Sequence, residues 1–219
     1  MISYVKEFAY AHNYLVRHGQ TEWNSSGFYQ GFTNVQLNQT GIIQAEAVAK
    51  ELTSVHFDSI IASDLDRARI TAETILGNRQ IPFKTDERLR EINFGDWEGL
   101  TYDQIEAKWP HSIYTMYRSP DKVKISNGES FQEVQERAWQ ALTDEMTAIG
   151  EDKTILIVAH GGTNRTLICK MLSLPLHFAW NFSQGNTAIS RVEFYGLTED
   201  DHNTLSLLNY TKHLETIQL

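Results

Sequence analysis

Short apolar runs alternate with stretches of helical period along most of this chain. NYLVRH (13–18), DSIIAS (58–63) and TILIVAH (154–160) are strand-length runs of consecutive apolar residues, the pattern of strands covered on both faces. TGIIQAEAVAKELTS (40–54) is amphipathic, with Ile43, Ala47 and Leu52 near helical spacing, and DLDRARITAETILG (64–77) reads as a helix closed by Gly77. GTNRTLICKML (162–172) continues as a helix after the third strand, and TAISRVEFY (187–195) and TLSLLNY (204–210) alternate as strands do. This order predicts an α/β fold: a three-layer sandwich with a mainly parallel central sheet covered by helices. Residues 92–150 break the rhythm with Pro110, Pro120, an NGES turn at 127–130 and the helical FQEVQERAWQALTDEM, and they read as a small helical lobe inserted into a single domain spanning 1–219. Ligands in such folds bind beyond the carboxyl ends of the strands, which is where chemistry is sought.

Composition narrows the picture without directing it. With 219 residues, 41% hydrophobic and 21% charged, the chain can bury a sizeable core without covalent staples. Its one cysteine, Cys169, lies in the apolar run TLICKML and reads as a small buried hydrophobe. The start, MISYVKEFAYAH, lacks the apolar run of a secretory signal or membrane span, so a cytoplasmic location is the default expectation. The aromatic residues of SYVKEFAYAHN suggest a segment packed over a sheet edge or a subunit contact. A net charge of −9 argues against nucleic-acid or acidic-membrane partners. It leaves room for a small phosphorylated substrate, because a few arginines in a cleft can set the local field.

Two of the strands end alike. NYLVRHG and TILIVAHGG both run from an apolar strand to histidine and then glycine, which places His18 and His160 at the rim of the sheet. Glycine at such a point permits a sharp turn or a close backbone approach. Arg17 precedes His18, and Thr21 and Asn24 follow. The guanidinium plane suits phosphate oxygens, and a neutral imidazole nitrogen can attack phosphorus near neutral pH if the other nitrogen is held protonated, as by a backbone carbonyl. In IIASDLDRAR, Ser63 is placed to cap a helix with Asp66 three residues on, and Arg67 then falls in the first turn, beside free N–H groups that favour an anion. Arg69 lies on another face and reads as a surface arginine. ERLREINFGDWEG (87–99) offers Glu87, Glu91, Asp96 and Glu98 as sources of the proton a poor leaving group needs, and spacing does not choose among them.

Taken together, LVRHGQTEWN, SDLDRARITAETI, RLREINFGDWEG and IVAHGGTNR resemble, in order, the motifs of the histidine phosphatase superfamily, the branch that holds cofactor-dependent phosphoglycerate mutases and broad-specificity bacterial phosphatases. The resemblance spans roughly residues 14–165. It implies a phosphomonoester hydrolase acting on a small phosphorylated metabolite through a phosphohistidine on His18. Arg17, Arg67 and His160 would close the phosphate pocket and Glu91 would be the proton donor. Asn24, Gln30 and the backbone of Gly161 correspond to positions that touch the phosphate or the nearby substrate, while Asp96 and Glu98 would be structural. Neither metal nor cofactor is implied, because the arginines and histidine supply the positive charge.

Three other readings share these motifs. A phosphoglycerate mutase would return the phosphoryl group to a bound sugar acid, and the family's mutases carry a longer lobe with an arginine pair. Here the candidate cations Lys108, Arg118, Lys122 and Lys124 are scattered, which favours hydrolysis. A phosphatase dedicated to one metabolite, such as an α-ribazole phosphatase, would differ in Gln30–Leu37 and in residues 100–130, where Trp109, Tyr114, Tyr117 and Arg118 are candidates for the leaving-group side. A phosphate-binding module without chemistry would be expected to have lost His18 or the donor carboxylate. The oligomeric state is not readable.

Overall fold

The structure, a computed structural model, describes residues 11–198, 201–215 and 217. Residues 3–10, where packing over a sheet edge was expected, lie outside them. In chain order the elements are β1 (Ala11–Arg17), α1 (Glu22–Ser25), α2 (Gln39–Glu51), β2 (Ser59–Ala62), α3 (Asp66–Leu76), β3 (Phe83–Thr85), α4 (Tyr102–Lys108), α5 (Ser112–Arg118), α6 (Phe131–Ile149), β4 (Lys153–Ala159), α7 (Gly161–Met171), β5 (Ile189–Phe194) and β6 (Thr204–Tyr210).

The strands form one sheet in the order β3-β2-β4-β1-β5-β6. The first four are mutually parallel, and β5 and β6 run antiparallel at one side. Helices cover both faces because β4 is apolar at every inner position and alternates which face it serves. Ile155, Ile157 and Ala159 meet α6 and α7, together with Leu15 and Ile61. Leu156 and Val158 turn the other way, joining Val16, Ile60 and Ala62 against α2 and α3. The three-layer α/β sandwich expected from the sequence is therefore present.

A third cluster, separate from the sheet, unites Ile92, Phe94, Trp97, Ile105, Ile113 and Met116 of the inserted region with Phe131 and Val134 at the start of α6. The rest of α6 (Ala138, Ala141, Leu142, Met146) lies on the sheet. One helix thus packs into both clusters. Its start is fixed by a capping box, in which the Ser130 hydroxyl accepts from the Glu133 N–H and the Glu133 carboxylate returns to Ser130.

Several local expectations were displaced. Helix α3 begins three residues after Ser63, with Leu65 at its N-cap and no side-chain cap. The Ser63 hydroxyl is used in a local turn, accepting from Leu65 N, and Asp66 bonds Asn34, Gln36 and Arg69 instead of closing a capping box. The buried face of α2 runs through Gly41, Gln44, Ala45 and Val48 on to Leu52, leaving Ile43 and Ala47 half-buried at its margin. What turns the helix is Gly41, where a Cβ would sit 2.0 Å from the Gln20 carbonyl oxygen. Strand β3 was not anticipated, because its three residues are half-buried or exposed and carry no apolar run.

Candidate active site

The parallel register pairs Arg17 with Ala159, so the histidines that follow them leave neighbouring strands side by side. The His18 N–H donates to the Ala159 carbonyl at 3.0 Å, and the two rings lie 5.1 Å apart at 58°. On the far side of β1, the lead-in to β5 pins the strand end: Thr187 N donates to the Arg17 carbonyl and Asn186 Nδ2 to that of His18. The glycine after His18 serves chain packing. A Cβ on Gly19 would lie 2.4 Å from the Gly41 carbonyl oxygen, so this loop seats directly on the first turn of α2.

His18 Nδ1 is 2.7 Å from the Gly19 carbonyl oxygen. A carbonyl only accepts, so this contact puts the proton on Nδ1 and leaves Nε2 with a free lone pair. The imidazole is almost wholly buried, and its pKa is held well below the ordinary value, chiefly by burial and then by the neighbouring Arg67 and Arg17 cations. His160 is fully buried with neither ring nitrogen bonded among the described residues, and it is depressed by burial and by the same arginines, with His18 and Arg137 adding to the effect. Both rings are thus neutral at neutral pH.

The two arginines are held by main-chain carbonyls, and carboxylates do not pair with them among the described residues. Arg67, buried at 0% exposure, donates to the carbonyls of Gly31 (2.7 Å) and Thr33 (2.9 Å). Arg17 donates to the Gln184 carbonyl at 2.7 Å. The Nε of each lacks a partner. Burial lowers Arg67 to about 10 and lowers Arg17 as well, with Glu91 pulling both back up. Two under-neutralised cations beside two neutral imidazoles form a local positive field in a chain of net charge −9.

Glu91 closes the site from the α7 side. Its Oε1 and Oε2 each lie 3.1 Å from Gly162 N, and Oε1 also accepts from Thr163 N and Ile92 N. A Cβ at Gly162 would fall 2.7 Å from Oε1, so glycine there is what admits the carboxylate to the helix start. Arg137 of α6 fixes the segment from behind. Its Nη1 donates to the carbonyls of Arg88 and Arg90 and its Nη2 to that of Glu91, while Nε and Nη2 also donate to the Glu129 carboxylate. Sequence reasoning missed this residue, whose only signal was a basic position in an otherwise acidic helix.

Arg17, His18, Asn24, Gln30, Arg67 and Glu91 all line one cavity of about 320 Å³. His160 lies beside His18, and Gly161 opens α7 with its Cα facing the Arg17 and Arg165 guanidiniums. Thr21 and Asn24, expected in a loop, form a capping box around the short α1, and the Thr21 hydroxyl donates to Gln30. The other candidate carboxylates are engaged elsewhere. Glu98 accepts from Phe32 N, Thr33 N and the Thr33 hydroxyl, steadying the loop that carries the Arg67 acceptors, and Asp96 takes both bonds of the Asn127 amide. Arg69 pairs with Asp66 and Glu73 on the surface. Cys169 is buried, its thiol pushed up to about 12 by burial.

The outer part of the cavity is aromatic: Trp23, Phe28, Tyr29, Phe94, Tyr102 and Tyr117. Among the lobe candidates only Tyr117 reaches it. Tyr114 is 60% exposed with Arg118 over its ring, and Trp109 packs on the lobe cluster under Lys108. Among the described residues, no cluster of three or more His, Cys, Asp or Glu side chains is arranged to hold a metal ion, and no helix is long and apolar enough to cross a membrane.

A buried imidazole with a free Nε2 stands beside a buried Arg67 and a half-buried Arg17 at the carboxyl ends of parallel strands, a pocket whose charge suits an anion. The chain belongs to the histidine phosphatase superfamily (branch 1), whose profile matches residues 13–210. It is 31% identical over 200 residues to phosphoserine phosphatase 1 of Hydrogenobacter thermophilus, covering 91% of this chain and 92% of that protein. It is 33% identical over 181 residues to the probable phosphoglycerate mutase GpmB of Yersinia pestis, covering 83% of this chain and 84% of that one. Among solved structures it is similar to Bacillus stearothermophilus YhfR, with a TM-score of 0.83, 33% identity and coverage of 93% of this chain and 99% of that one.

Proposed function

We propose that this phosphatase cleaves small phosphomonoesters in two steps through a phosphoryl group carried on His18, the chain working as one catalytic unit in the cytoplasm. The observation that carries the reading is the Nδ1 contact to the Gly19 carbonyl, which leaves Nε2 as the nucleophile beside Arg17 and Arg67. In the first step a bond forms between Nε2 and phosphorus as the ester P–O bond breaks, and Glu91 gives its proton to the departing oxygen. Arg17, Arg67 and His160 stabilise the equatorial oxygens, their unpartnered nitrogens supplying donors. In the second step Glu91 takes a proton from water as that water attacks phosphorus and the P–N bond breaks. Asn24, Gln30 and the Gly161 backbone are assigned to hold the phosphate and the near part of the substrate.

Hydrolysis is favoured over return of the phosphoryl group to a sugar acid. Lys108 and Arg118 lie over Trp109 and Tyr114, Lys122 and Lys124 are exposed, and none of the four lines the cavity. The test is to incubate purified protein with 3-phosphoglycerate and a trace of its bisphosphate. Release of inorganic phosphate should outrun formation of 2-phosphoglycerate, and the reverse order would replace this reading with a mutase.

A further inference from the structure

Resting on the hydrolase reading, we infer that the preferred substrates are phosphate esters of uncharged alcohols bearing an aromatic ring, and that esters carrying a carboxylate or a second phosphate are disfavoured. The cavity has two chemically different ends. Both cations that line it, Arg17 and Arg67, stand beside His18 where the transferred phosphate must sit. Beyond them the wall changes to six aromatic rings, and the acidic side chain lining the cavity is Glu91. A second anionic group on the leaving side would meet no lysine or arginine among the described residues that line it. Arg165, whose guanidinium stands close to Gly161, donates from Nε and Nη1 to the Phe182 and Gly161 carbonyls, and its plane rests on the Trp180 ring at 4.7 Å.

The aromatic end is built, not a chance exposure. Tyr29 and Tyr117 bring the loop after α1 and helix α5 to the same cavity, and Tyr117 packs edge-on against Trp180 at 4.7 Å. Tyr29 also stands edge-on to Phe94 at 5.1 Å, and Trp23 lies against Phe28 and over Gly99. Tyr102 and Tyr117 still keep 50% and 46% of their surface exposed, which for large rings at a concave site leaves faces free to receive a ligand ring.

The test compares kcat/KM for 2-phenylethyl phosphate, n-propyl phosphate, O-phosphoserine and 3-phosphoglycerate, alkyl esters whose leaving groups differ modestly in acidity. Phenylethyl phosphate should exceed propyl phosphate by at least about tenfold, and both should exceed the two carboxylates. In Tyr102→Ala/Tyr117→Ala the phenylethyl-to-propyl ratio should fall toward one, mainly through KM. Phosphoserine or 3-phosphoglycerate at or above the phenylethyl ester overturns the inference and points to Arg165 turning into the cavity. Equal rates for phenylethyl and propyl esters, with His18 still phosphorylated, overturn it while leaving the hydrolase reading intact. No turnover and no labelling of His18 with any ester overturns both.

Discussion

The phosphate end and the aromatic mouth of this cavity are assembled by different means. At the phosphate end, Arg17, His18 and His160 leave the ends of two neighbouring strands, and Arg67 enters from the first turn of α3, its guanidinium fixed by loop carbonyls. Arg17 and Arg67 are held by main-chain carbonyls, and Arg67 and both histidines are buried. At the mouth, rings arrive from α1, the following loop, the segment after Glu91, α4 and α5, and they are held mainly by one another. Rigidity is concentrated where charge must be stabilised, and variety is placed where it alters only what leaves.

Substitutions can break this contrast. His18→Ala should abolish turnover of every ester, by about 10⁴-fold or more, because it removes the proposed nucleophile. Glu91→Gln should slow alkyl phosphates by about 10²–10³-fold and p-nitrophenyl phosphate far less, since nitrophenolate barely needs a proton. Equal losses on both would take Glu91 out of the donor role. Arg137→Met should cost about 2–3 kcal/mol in urea unfolding by freeing the carbonyls of residues 88, 90 and 91. Its kcat on alkyl phosphates should fall by about tenfold with KM little changed, because Glu91 loses its support.

Stability should record the two neutral histidines. Their folded pKa values lie below the ordinary 6.5, so the unfolded chain binds more protons once the pH drops past that value. The contribution is complete above about pH 6.5 and is lost as pH falls toward the folded values, at up to about 1.4 kcal/mol per pH unit per histidine. Urea midpoints between pH 7.5 and 5.5 should therefore decline less steeply in His160→Gln than in the parent, and equal slopes would mean that folding does not lower the His160 pKa. The smallest effect belongs to the mouth. Tyr117→Phe keeps the edge-on contact with Trp180 and should change stability by less than about 0.5 kcal/mol in urea unfolding, with phosphorylation of His18 preserved.

The same contrast governs how much could be read from the sequence. His18 and His160 were legible because a parallel strand announces its carboxyl end locally: an apolar run, then a polar residue, then glycine. Arg67 was placed correctly in the first turn of α3 although the helix starts later than Ser63 suggested, since a shift of two residues leaves it near the N-terminus. Glu91 could not be singled out by spacing among Glu87, Glu91, Asp96 and Glu98; the family resemblance named it, and the fold adds that Gly162, 71 residues away, makes room for its carboxylate. The mouth was least legible. In a helix as short as α5 the apolar pattern does not fix the phase, so Tyr114 and Tyr117 looked equivalent, yet one faces solvent and the other the cavity. Trp23, Tyr29 and Tyr102 carried no signal beyond being aromatic.

The central claim is covalent: the phosphoryl group passes through His18. Rapid alkaline quenching of the protein with ³²P-labelled 2-phenylethyl phosphate, followed by peptide mapping, tests it most directly. The account predicts a burst of acid-labile, base-stable label approaching one per chain, located on the peptide holding His18 and missing from His18→Ala. Phosphate release at full rate with no label on that peptide, or turnover surviving in His18→Ala, would contradict it.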